Sequence, residues 1–501
     1  MTRWQLFSAL AVVAVGAGLA RAQDDTTQPS SSSSAGANQQ QPVPAYGQEN
    51  APPPISENPP ITGLDQPGLE PHAAPLSYLQ PGATISESAS TNIGNTLGGG
   101  QNFYSVTRAL GTLTLERLWR NYDLALDYIG GGGYFNAKGL GGKLIQQMDL
   151  DQKITWKRGQ LSLRDSFSYL PEGNFGGAYG SLGSFGIGSL GSLPSTGFQT
   201  GESLGALGET PRIFNGSAID VVQELSPKSA ITAMGGYAFT HFYGVDVETG
   251  DNFLNSSEAS GFVGYDRSLT SHTQVAVAFG MQGFDFSLIK TRIETKVAQV
   301  FYGHRISGKM DFVAAAGPEF IHLDFPITVC SNPLLPPALC ALGGGTLATE
   351  GFVSNRLGVA GRAQLRYRFT KTTADLSYAR IVTSGSGLFA GAQSDVVRVG
   401  LARQLSRVWG AFADVGFSRN SHEAPDGGLL GVPGNVFETG FAGAALHRQL
   451  GRSFHAYGSY QFNTLWLDRS YCGTAPECNR VSNRQIITIG VDWTPKPIRL
   501  D

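Results

Sequence analysis

Arg362, Gln364, Arg366 and Arg368 alternate with Ala363, Leu365, Tyr367 and Phe369 in the stretch RAQLRYRF. A period of two places the polar four on one face of a strand and the apolar four on the other. Asp375, Arg398 and Asp414 occupy corresponding faces in the alternating segments that follow. Guanidinium and carboxylate groups lined up on consecutive antiparallel strands support two kinds of chemistry. Facing water, they polarise it and tune the passage of polar or anionic solutes. Facing each other, they form a cross-strand ladder that only stiffens a wall. The residue types leave both readings open.

Motifs for covalent chemistry fail by comparison. The chain has no His-Glu-x-x-His zinc helix. GHRISGKM, residues 303–310, approaches a phosphate loop, but Met310 stands where Ser or Thr is required, and the stretch reads as a hairpin turn. Cysteines occur as two close pairs, Cys330 with Cys340 and Cys472 with Cys478. In an exported chain such pairs read as local disulfides, and neither spacing suits a zinc knuckle. No catalytic residue, metal site or cofactor is predicted.

The elements that carry these groups are long strands. In WGAFADVGFSRN, residues 409–420, Trp409, Ala411, Ala413, Val415 and Phe417 share one face, while Gly410, Phe412, Asp414, Gly416 and Ser418 share the other. Tyr122, Leu124, Leu126 and Tyr128 oppose Asp123, Ala125 and Asp127 in the same way, and Ile487, Ile489, Val491 and Trp493 oppose Thr488, Gly490 and Asp492. Aromatic residues sit toward the ends of the apolar rows: Trp409 with Phe417, Tyr122 with Tyr128, and Trp493. Eight residue steps from Trp409 to Phe417 cover about 26 Å, which a tilt near 45° projects to roughly 18–20 Å, close to the apolar band of an outer membrane. A soluble sandwich strand of about five or six residues has no use for such a length.

Compact turns at residues 120–122, 157–159, 226–229, 270–273, 307–309, 370–372, 406–407 and 451–453 alternate with longer polar loops. Turns on one side and loops on the other describe hairpins whose two ends face different compartments. With ATISESASTN (83–92) as the first strand and NRQIITIGVDW as the last, the pattern predicts an all-β, antiparallel, transmembrane barrel of about 18 strands, with 16 as the alternative. An exported propeller repeats at a similar interval, but each blade packs four short strands where this chain has two long ones.

The flanks differ in kind. Residues 1–22 read as a signal peptide, with Arg3, an apolar run from Leu6 to Leu19 and a small-residue cleavage site. Residues 23–82, rich in Ser, Gln and Pro, are expected to be a disordered tail on the periplasmic side, with no evident plug domain; 83–494 form the barrel, and 495–501 a C-terminal tail. Glycine numbers 66 of 501 residues, about twice the usual share, and the formal charge of −3 gives no footprint for nucleic acid. The loop between Pro171 and Pro211, with Leu182, Phe185, Ile187, Leu190 and Leu193 among Gly and Ser, reads either as a constriction folded into the lumen or as a mobile external loop.

On these strands, the chain from about residue 84 to 494 resembles the porin-like outer-membrane β-barrel proteins of Gram-negative bacteria. Trp493, with Val491 two residues before it, resembles the terminal aromatic signal by which the barrel assembly machinery recognises such proteins. TPKPIRLD follows it here, and Thr488 replaces the family's glycine five before the aromatic. The resemblance implies residence among outer-membrane lipid and passive diffusion of small hydrophilic solutes. The rival expectations are a closed structural or adhesive barrel that binds an external ligand through its loops, and a barrel hydrolase using His241, Asp246, His322, Asp324 or His422 at the rim.

Overall fold

The computed structural model describes residues 61–62, 77–92, 103–136, 141–170, 212–243, 254–331, 346–385, 390–422, 436–469 and 479–500. Its strands in chain order are β1 (Tyr78–Thr91), β2 (Phe103–Leu118), β3 (Tyr122–Phe135), β4 (Gly141–Trp156), β5 (Gly159–Leu170), β6 (Arg212–Ser226), β7 (Ser229–Phe242), β8 (Ser256–Ser268) and β9 (Thr273–Phe286). They continue as β10 (Thr291–Ser307), β11 (Met310–Cys330), β12 (Leu347–Arg368), β13 (Thr372–Thr383), β14 (Ala392–Gln404), β15 (Trp409–His422), β16 (Val436–Gln449), β17 (Phe454–Leu467) and β18 (Val481–Trp493). Each strand pairs antiparallel with its neighbours in sequence, and β1 pairs with β18 from Ala83↔Trp493 to Ser90↔Ile486, which closes a ring of 18. All eight compact turns foreseen in the sequence join strands at one end, and the longer connections lie at the other.

Period-two alternation fixes which face points where. Leu357 is 78 % exposed and Ile489 63 %, and Val277, Phe279, Val300, Val397 and Val399 join them on an outward apolar belt. Trp409, Phe417, Tyr128 and Trp493 are exposed on the same side, as the sequence placed them. Trp119 and Trp156 add to the short-turn end, and Trp119 packs on Tyr122 with ring centroids 4.9 Å apart. Inward positions between them carry Ser, Thr, Asp, Arg and Gln together with apolar residues as large as Phe284, Phe301 and Phe437, many of them buried.

The barrel's ends depart from the sequence expectation. β1 begins at Tyr78, five residues before the expected start at 83, because Pro81 reads as a strand breaker yet is accommodated here. At Pro81 the ladder runs only to Leu113 of β2, so its missing N–H leaves nothing unpaired on the β18 side. The C-terminal stretch is also not a simple tail: β19 (Ile498–Arg499) pairs with Tyr78 and Leu79 below the end of β18. Ile61 and Thr62, inside the stretch expected to be a disordered tail, are fully buried against the inner wall.

Two irregularities shape the wall. β12 pairs with β11 over its whole length but with β13 only from Gly361↔Arg380 to Arg368↔Thr373. Above that, Val382 and Ala390 of the β13–β14 hairpin pack with Phe284, Ile293 and Leu323 in one buried cluster. Between β10 and β11 the ladder steps from Val297↔Glu319 to Val300↔Ala316, skipping Gly317 and Pro318. A Cβ on Gly317 would collide with the carbonyl oxygen of Ala298, which is backbone and cannot swing aside. Gly317→Ala is therefore expected to destabilise the barrel by about 1–3 kcal/mol, as overpacking does. The denaturant midpoint in detergent should fall, and an unchanged midpoint would show that the two strands can part there freely.

Candidate functional site

The inner faces of β12 to β15 carry the seven polar residues singled out from the sequence. Arg362, Gln364, Arg366 and Arg368 follow one another along β12, and cross-strand register sets Arg366 opposite Asp375. Gln364 Nε2 donates to Asp375 Oδ2 at 2.9 Å, Arg366 Nε lies 3.7 Å from the same oxygen, and Arg366 Nη2 donates to Gln364 Oε1 at 3.0 Å. One strand on, Arg398 Nε donates to Asp414 Oδ1 at 2.9 Å, and its Nη2 meets the other carboxylate oxygen. Both partners are buried, and the guanidinium carbon of Arg398 lies 5.7 Å from the Phe441 ring centroid. Arg362 stacks on Phe301, 4.7 Å from its ring centroid.

Geometry therefore favours the ladder for the two carboxylates: each is held by cations or amides from the adjoining strands. Arg362 and Arg368 share the inward face of β12, and Asp311 of β11 stands opposite Arg366 in register. A second set of charged positions is on the far side. Glu116 of β2, Asp123 and Asp127 of β3, and Asp149 and Asp151 of β4 all fall on inward positions, joined by Lys153 of β4 and Arg164 of β5. Thr114 Oγ1 donates to Asp127 Oδ1 at 2.7 Å, Gln147 Nε2 to Asp149 Oδ2 at 3.2 Å, and Arg164 Nε to Asp151 Oδ2 at 3.1 Å. β3 and β12 are nine positions apart in a ring of 18, so these carboxylates stand half the ring from the arginines of β12. Sequence reading noted Asp123 and Asp127 on their face but not Asp149 and Asp151. Their signal was the alternation of MDLDQK, in which both carboxylates oppose Met148, Leu150 and Gln152.

At the long-loop end an apolar cluster spans strands far apart in the ring. Phe242 of β7, Ala392 of β14, Phe437 of β16 and Leu465 of β17 form one buried cluster, and β7 and β16 stand half the ring apart. Phe412, an aromatic on the otherwise polar face of β15, lies on an inward position alongside Asp414.

The remaining sequence candidates do not converge. His241 is on β7, packed edge-on to Tyr243; His322 is on the outward face of β11, its Nδ1 2.7 Å from Asn355 Oδ1; His422 ends β15. Asp324 is exposed two residues from His322, and Asp246 lies outside the described residues. Among the described residues no group of three or more His, Cys, Asp and Glu could hold a metal ion. Ser307, Gly308 and Lys309 form the β10–β11 turn, not a phosphate loop. Cys330, at the end of β11, is disulfide-bonded, while Cys340, Cys472, Cys478 and the loop between Pro171 and Pro211 lie outside the described residues.

No family model matches the chain, and no curated protein matches it. Solved structures similar to it include the ferric-catecholate import receptor Fiu of E. coli K12, at 9 % identity and TM-score 0.41, over 87 % of this chain and 85 % of that one. Acinetobacter baumannii OccAB1 aligns at 8 % identity and TM-score 0.40 over 84 % and 97 %, and Pseudomonas aeruginosa OccK2, in complex with glucuronate, at 9 % and 0.39 over 83 % and 98 %.

The Arg398–Asp414 pair permits a direct measurement of what the ladder is worth. Asp414→Ala strands a buried guanidinium and should cost about 3–5 kcal/mol, whereas Arg398→Leu with Asp414→Leu together should recover most of it. Chemical unfolding in detergent separates the two. Equal losses in the single and double variants would mean that the pair does not act as a unit.

Proposed function

We propose that this protein is an outer-membrane barrel that passes small hydrophilic solutes by passive diffusion, with no catalytic step and no cofactor. The observation that carries the reading is the contrast between the two faces of the wall. The outer face is a continuous belt of exposed Val, Leu, Ile and Phe, which in water would be a large unpaid exposure and in lipid is none. The inner face is polar, with Glu116, Asp123, Asp127, Asp149 and Asp151 across from Arg362, Arg366, Arg368 and Arg398. A barrel of this strand number encloses water unless it is filled. Opposed charges across that water orient polar solutes and hold back apolar ones, whose entry breaks hydrogen bonds without replacing them. Trp493 at the end of β18 is the natural contact for the assembly machinery.

The apolar cluster around Phe242 and Phe437 supports a second reading, a closed barrel that presents its loops to an external ligand. Planar-bilayer recording decides between them. The detergent-purified protein, shifting in gel mobility on heating, is expected to give discrete conductance steps. Asp149→Lys should move the reversal potential in a salt gradient toward anion preference, and Arg366→Glu toward cation preference. Silence of the folded protein, or reversal potentials that ignore both substitutions, would favour the closed barrel.

A further inference from the structure

Ile61 and Thr62 belong to a stretch whose composition promises only solvated chain, yet they are 1 % and 0 % exposed. Their surroundings are specific. The Thr62 amide donates to Asp266 Oδ1 at 3.2 Å, and its hydroxyl donates to Asp266 Oδ2. With that proton committed, the contact of 2.6 Å between Thr62 Oγ1 and Thr232 Oγ1 is donated by Thr232. Ile61 joins Met234, Phe262, Ala276, Ala278, Phe301 and Ala315 in a single buried cluster.

The wall is recessed where this pair sits. A Cβ on Gly264 would fall 2.6 Å from Thr62 Oγ1 and 2.8 Å from Thr232 Oγ1, and one on Gly303 would fall 3.1 Å from Ile61 Cγ2. Cross-strand register runs Asp266↔Ala276, Ala276↔Phe301, Phe301↔Ala315 and Ala315↔Arg362, so Ala276 and Ala315 flank Phe301 in a row that ends at the arginine stacked on it. Thr232, Asp266 and Gly303 lie within four residues of the turn ends of their strands, so the site is near the short-turn opening. Ser77, at the foot of β1, donates to the Leu118 carbonyl at that same end.

We propose that Thr232, Gly264, Asp266 and Gly303 form a binding site on the inner wall whose ligand is the chain's own Ile61–Thr62 segment, a tethered plug that narrows the lumen at the short-turn end. The site selects its ligand by chemistry: a β-hydroxyl and an amide presented together to one carboxylate, beside an aliphatic side chain that fills a recess where Gly303 and three alanines open space between Met234, Phe262 and Phe301. A carboxylate that accepts two donors from one residue fixes both the position and the direction of that residue. In the lumen such a contact replaces water with packed side chains, so it obstructs flow until the segment leaves. As a statement about flow, the proposal rests on the channel reading above; as a statement about binding, it does not.

Two measurements on the full-length barrel keep those statements apart. In the first, Thr62→Cys with Thr232→Cys is oxidised, and non-reducing peptide mapping looks for the link between the tail and β7. The link is expected, and its absence while each cysteine reacts with a thiol reagent in the unfolded chain would overturn the site. In the second, bilayer conductance is compared for the native protein, Thr62→Val with Ile61→Asn, and Gly264→Ala, which leaves the tail unchanged but takes the space of Thr62. Both sets of changes should raise mean conductance by about two-fold or more, as removal of a constriction does. The oxidised cysteine pair should hold the low level until it is reduced. Conductance equal in all of these would overturn the plug. If every variant is silent but the link forms, the channel reading fails while the binding site stands.

Discussion

Every backbone N–H and C=O of a chain that lives in hydrocarbon must find its partner inside the chain, and for strands the only complete solution is a closed ring. The pairing of β1 with β18 is the contact on which the rest depends. Without it, two edges would be left open to lipid and the inner face would have no inside. Its register, Ile85 opposite Val491 and Glu87 opposite Ile489, also decides the phase of alternation across the seam, so that Thr84, Ser86, Ser88 and Ser90 point inward beside Thr488. Ser88 meets Thr488 at 2.9 Å, and Arg484 Nε reaches Ser90 at the same distance, so the seam is closed by side chains as well as by backbone. β19 extends the closure over the foot of β1, where Pro81 has interrupted the ladder on that side.

Once the ring is closed, charge on the inner face has two fates. Where an acid and a base fall on adjoining strands, as with Asp414 and Arg398, the low dielectric of the wall makes the pair tight and leaves little field beyond it. Where groups of one sign lie on neighbouring strands, as with Asp127 of β3 and Asp149 of β4, hydroxyl and amide side chains hold the carboxylates instead, Thr114 on Asp127 and Gln147 on Asp149.

The interior is also shaped by what fills it. Small residues at 264, 276, 278, 303 and 315 leave a hollow in the wall of β8 to β11, and Ile61 and Thr62 occupy it. At the opposite end Phe242 and Phe437 bring distant strands together. Packed apolar side chains thus lie inside the ring toward both ends, and the aromatic Phe412 shares that inner face.

The order and phase of the strands were legible in the sequence, because alternation with period two is a local property that each strand carries alone. Trp409 and Phe417 marked the ends of one crossing, Asp414 its inner face, and the compact turns told which ends of the hairpins lie together. Less was legible at the edges. Pro81 hid the first turn of β1, since whether a missing N–H matters depends on a neighbour that the sequence does not name. Which acid answers which base was equally hidden, because Asp414 is sixteen residues from Arg398 and reaches it only through the β14–β15 register. That the carboxylates of β3 stand half the ring from the arginines of β12 follows only from closure. The seating of Thr62 on Asp266, separated by 204 positions, was beyond any local pattern. Alternation along one strand determines what each wall segment presents, while only the closed ring decides what it presents it to.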